Sequence, residues 1–116
     1  MTLLTMIFLH IIDDYYLQGI LAQMKQKKFW KEQAPDEKYK HDYIWALIMH
    51  AFSWTFMVML PLAFVTAVGP LFFVVFSANV AIHAYVDHMK ANQFKINLWQ
   101  DQLAHMTQIV LTFIIL

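Results

Sequence analysis

Between Asp42 and Asp87 the chain carries no lysine, arginine, aspartate or glutamate. The interval is long enough to cross a bilayer twice, at about 20 residues per crossing. A helix in water needs a polar face, and Val58 to Ala78 offers almost none, which disfavours a water-soluble helical bundle. Composition points the same way: 60% of the 116 residues are hydrophobic and 14% charged, against about a quarter charged in a soluble domain. The absence of cysteine excludes disulfides, thiolate metal sites and a cysteine nucleophile. Any metal would fall to His, Asp or Glu. A formal net charge of zero argues against nucleic acid as a partner.

The expected fold is all-α, a single domain over residues 1–116 forming a four-helix transmembrane bundle. The helices are expected at about 2–24, 42–67, 71–89 and 98–116, with a polar cytoplasmic loop at 25–41. His10, Asp13 and Asp14 interrupt the N-terminal apolar run, so it reads as a retained first helix rather than a signal peptide. Pro61 should kink the second helix, and Gly69-Pro70 reads as a turn. Six of the eight lysines lie between Lys25 and Lys40, the others being Lys90 and Lys95. The positive-inside rule puts both lysine-bearing loops in the cytoplasm and both termini outside. The lysines from Lys25 to Lys40 read as topology signals, with attraction to anionic lipid as a secondary effect.

Charges inside a bilayer are costly and are retained mainly for function. This chain keeps His10, Asp13, Asp14 and Gln18 in the first helix and His50 in the second. The third holds Asn79, His83, Asp87 and Lys90, and the fourth Asp101, Gln102, His105 and Gln108. Residues four apart share a helix face, which pairs His10 with Asp14, His83 with Asp87, and Asp101 with His105. Antiparallel packing would bring most of these groups to one depth in the cytoplasmic half. Imidazole with carboxylate suits a divalent metal, with zinc ahead of iron or manganese. The expected ligands are His10, Asp14, His50, His83, Asp87, Asp101 and His105. Asp13 is expected as general base and Lys90 as an anion contact, with Gln18 and Gln102 beside them. His41 and His88 read as interfacial. Structural polar packing or a proton path is the competing use of such a cluster.

Three runs carry a resemblance. His10 to Gln18 reads H-x-x-x-D-x-x-x-Q, His83 to Lys90 reads H-x-x-x-D-x-x-K, and Asp101 to His105 reads D-Q-x-x-H. In this order they resemble a family of small phage and bacterial integral-membrane proteins of unknown function, over nearly the whole chain. The resemblance implies a membrane-embedded helical protein. It also implies functional positions at His10, Asp14, Gln18, His83, Asp87, Lys90, Asp101, Gln102 and His105; the segment around His50 matches less clearly.

Two functions compete. One is a divalent-metal-dependent membrane hydrolase acting on a lipid or polyprenyl phosphate, or a similar amphiphile, at the cytoplasmic leaflet. The other is a non-enzymatic phage or bacterial membrane protein. It would modulate a host membrane partner, or assemble as a homo-oligomer around a proton or ion path.

Overall fold

The computed structural model describes residues 1–116 and is all-α, with six α-helices and no strands. These are α1 (Thr2–Ile11), α2 (Leu21–Met24), α3 (Lys27–Gln33), α4 (Asp42–Val65), α5 (Pro70–Ala91) and α6 (Leu98–Ile115). A π-helical turn, Ile12–Leu17, follows α1, and a short 3-10 turn, Glu37–Tyr39, precedes α4.

The long helices stop where local chemistry dictates. Pro70 opens α5 at a position that needs no backbone donor. Asn97 and Gln100 form a reciprocal capping box at the start of α6. Pro61 lies inside α4 without ending it. α4 packs on α1 and α5, α5 on α6, and α6 returns to α1, so four rods form a closed ring.

The first rod differs from the expected unbroken helix over 2–24. The α-helix gives way to the π turn at Ile12, and Gly19 adopts φ 54°, a left-handed conformation natural to glycine. The chain then turns through α2 into α3, so Lys25 to Glu32 does not prolong the first helix. Asn92 pins this turn: its amide donates to the carbonyl of Lys25 (2.8 Å) and its side-chain oxygen accepts the backbone N–H of Lys27 (2.7 Å). The Trp30 indole donates to the carbonyl of Met24 (2.8 Å).

Burial is inverted relative to a soluble protein. Of 25 buried residues, 12 are hydrophobic and 13 polar or charged, so polar side chains make up about half of the buried set. Outside, Phe64, Phe73, Val74 and Ile114 are each more than 60% exposed. Two helical stretches, Glu37–Ala63 and Pro70–Ala91, are long and apolar enough to cross a membrane. The other two rods fall short for visible reasons. α1 has only ten residues, and α6 carries Gln100, Asp101, Gln102, His105 and Gln108.

Candidate metal centre

Each rod contributes to one buried cluster inside the ring. The π turn rotates each residue less about the axis than an α turn would, so the consecutive Asp13 and Asp14 both face inward. His50 lies eight residues, roughly 12 Å, into α4. His83 and Asp87 sit within the last turns of α5, and Asp101 and His105 within the first turns of α6.

Three overlapping triads can hold a metal ion: Asp14, His50 and His83; His83, Asp87 and His105; Asp14, Asp101 and His105. Within each, one donor atom per residue lies within 4.8 Å of the others. His50 Nε2 is 3.2 Å from Asp14 Oδ1, and His105 Nε2 is 3.3 Å from Asp87 Oδ1 and 3.4 Å from Asp101 Oδ1. Tetrahedral zinc with bonds of about 2.0–2.1 Å sets its donors roughly 3.3 Å apart, so these spacings fit.

Unpartnered atoms make the stronger test. His83 is fully buried, stacked against Trp54 (centroids 4.2 Å apart) and His105 (4.1 Å), and neither of its ring nitrogens has a hydrogen-bond partner. His105 Nε2 and Asp101 Oδ1 are also buried without a hydrogen-bond partner, although they lie 3.4 Å from each other. Each such group costs about 1–3 kcal/mol if left so, and a coordinated cation would engage His83 together with His105, or His105 together with Asp101. Formal charge agrees, counting histidine as neutral. Asp13, Asp14, Asp87 and Asp101 are buried, while only Lys25 and Lys90 pair with the cluster, at 2.6 Å to Asp87 and 2.9 Å to Asp101. Two negative charges remain, which one divalent ion would offset.

Two of the expected residues stand apart from the triads. His10 belongs to none of the triads, because both its nitrogens are engaged. The Trp54 N–H donates to Nδ1 (2.7 Å), which leaves the proton on Nε2, facing Gln102 Oε1 at 3.0 Å. The His10–Asp14 pair is therefore bridged rather than direct: Gln102 Nε2 donates to Asp14 Oδ2 (2.9 Å) and Asp101 Oδ2 (3.1 Å). Asp13 lies behind His50 rather than among the donors. Its Oδ1 accepts the Ser53 hydroxyl (2.7 Å) and its Oδ2 is 3.8 Å from His50 Nδ1. That position suits orienting the imidazole, not general base catalysis at the cluster. Gln18 donates to the carbonyl of Asp14 (2.8 Å) and so braces the π turn.

Lys25, absent from the expected site, is 5% exposed and contacts Asp87 directly, so it belongs to the cluster. No local spacing signals this, because the π turn and Gly19 break the helix between Asp14 and Lys25. Trp54, four residues beyond His50, was legible from helical spacing.

A polar ladder extends from the cluster. His105 Nδ1 faces Gln108 Oε1 at 3.4 Å, Gln108 donates to Asn79 Oδ1 (3.1 Å), and Asn79 donates to Thr112 Oγ1 (2.7 Å). Around it, Met6, Trp54, Val58, Met59, Leu62, Phe72 and Ile109 form a continuous apolar core. No family model, curated protein or solved structure matches the chain.

Proposed function

We propose that the chain is a polytopic membrane protein of the bacterial inner membrane, all four rods crossing it with both termini outside. In this reading it is a divalent-metal-dependent hydrolase of a lipid or polyprenyl phosphate-like amphiphile at the cytoplasmic leaflet. The three sequence motifs keep the resemblance to the phage and bacterial membrane family within the proposal. Membrane residence is supported by the inverted burial: carboxylates and imidazoles inside, phenylalanine and leucine outside. That surface suits a hydrocarbon solvent, where interior polar groups pair with one another.

The observation that carries the catalytic reading is the set of buried donor atoms on His83, His105 and Asp101 that lack a hydrogen-bond partner. Asp14, His50, His83, Asp87, Asp101 and His105 would hold the ion, zinc ahead of iron or manganese. A bound divalent ion supplies Lewis-acid polarisation of a phosphoryl or acyl oxygen. The chain's own residues do the rest. Gln102 fixes Asp14 and Asp101 with one amide, and Asp13 and Gln108 stand behind His50 and His105 to set their orientation. Lys90, with a third of its side chain exposed, places a cation at the rim for an anionic head group.

A second reading, a proton or ion path, is favoured by one observation, the ladder from His105 to Thr112. Against it, the ladder stops at Thr112, whose hydroxyl makes no onward side-chain hydrogen bond. Phosphate release from a long-chain lipid phosphate in mixed micelles separates the two. The hydrolase reading expects turnover that chelator abolishes and added divalent metal restores. Chelator-insensitive proton flux in proteoliposomes, with no phosphate release, supports the path instead.

A further inference from the structure

An open groove runs along the outside of the ring between α1 and α6. Ile11 and Tyr15 wall one side and Leu98, Trp99 and Met106 the other; its volume is about 700 Å³ and no charged side chain lines it. This lies within the roughly 300–1,000 Å³ of ligand pockets. Its floor holds Gln102, the same amide that bonds His10, Asp14 and Asp101. Gln102 thus touches both the groove and the donor cluster.

Charge is placed beside the groove. Lys90 Nζ and Gln102 Nε2 both donate to Asp101 Oδ2, at 2.9 and 3.1 Å, so the ammonium group sits next to the groove floor. Tyr15 and Trp99 are 54% and 75% exposed at its mouth, where amphipathic rings favour the head-group level. The groove extends from Leu98 to Met106, roughly 12 Å along α6.

We propose that this groove seats the aliphatic chain of an anionic membrane lipid. The chain would lie along Ile11 and Met106, and the phosphate would meet Lys90 beside Gln102. The inference rests on the membrane-hydrolase reading and names how its substrate approaches: sideways from the leaflet, between α1 and α6.

The test uses the full chain in lipid nanodiscs containing a phosphatidic acid with a photoreactive acyl chain, and a matched phosphatidylcholine probe. Crosslinks are mapped by mass spectrometry, and metal content is measured in the same samples. The expected result is labelling concentrated on Ile11, Leu98 and Met106, stronger for phosphatidic acid than for phosphatidylcholine. Met106→Trp, which fills the groove, should lower it about tenfold. Labelling spread evenly over α4 and α5, labelling indifferent to head-group charge, or labelling unchanged by Met106→Trp overturns the proposal. Groove labelling without bound metal would support the lipid seat while contradicting the hydrolase reading, so the two fail separately.

Discussion

His83 bears the greatest unmet demand in the molecule. Its imidazole is buried against two aromatic rings, with no hydrogen-bond partner for either nitrogen. Replacing it with phenylalanine should keep the stack and remove the donor. His83→Phe is therefore expected to insert and fold while metal affinity falls at least about tenfold, the usual scale for disturbing even an outer-shell partner. Equilibrium dialysis with zinc reads this directly, and unchanged affinity would exclude His83 as a ligand. Lys25 gives a complementary test. Breaking a buried ion pair costs about 3–5 kcal/mol, because the surviving charge is stranded. Lys25→Met should thus lower the thermal stability of metal-free protein, and the loss should shrink once a divalent ion neutralises Asp87. An equal loss with and without metal would mean that the ion does not reach Asp87.

At the scale of elements, the turn after the π helix decides whether Lys25 reaches the cluster. Gly19 holds φ 54°, and a Cβ there would meet only the carbonyl oxygen of Leu17 at 4.0 Å. The penalty for Gly19→Ala is therefore conformational, about 1–2 kcal/mol, and denaturant titration in detergent micelles should show it. No destabilisation would mean the turn is not held in the left-handed region.

The same turn marks where sequence reading stopped. α4, α5 and α6 were legible because long apolar runs end at Gly69-Pro70 and at polar loops, and because i, i+4 spacing put His83 with Asp87 and Asp101 with His105. The π turn was not, since nothing local distinguishes one extra residue in a helical run. Both aspartates turn inward because partners on other rods, Ser53, His50 and Gln102, receive them. The engagement of His10 was hidden for the same reason, as its partners Trp54 and Gln102 lie 44 and 92 residues away.

The whole molecule is a ring of rods with polar contents toward one end and an apolar core toward the other. In the proposed orientation Lys31 faces the cytoplasm and Val68 the outside. The chain has no cysteine, so single replacements report cleanly. Val68→Cys should react with a membrane-impermeant maleimide added to intact spheroplasts, and Lys31→Cys only after lysis; the reverse pattern would invert the topology. The central claim is that imidazoles and carboxylates from four rods share a cation. Elemental analysis of detergent-purified protein never exposed to chelator tests it most directly. The charge balance leads to about one equivalent of a divalent transition metal, lost in Asp87→Ala; less than about a tenth of an equivalent in the unaltered protein would contradict it.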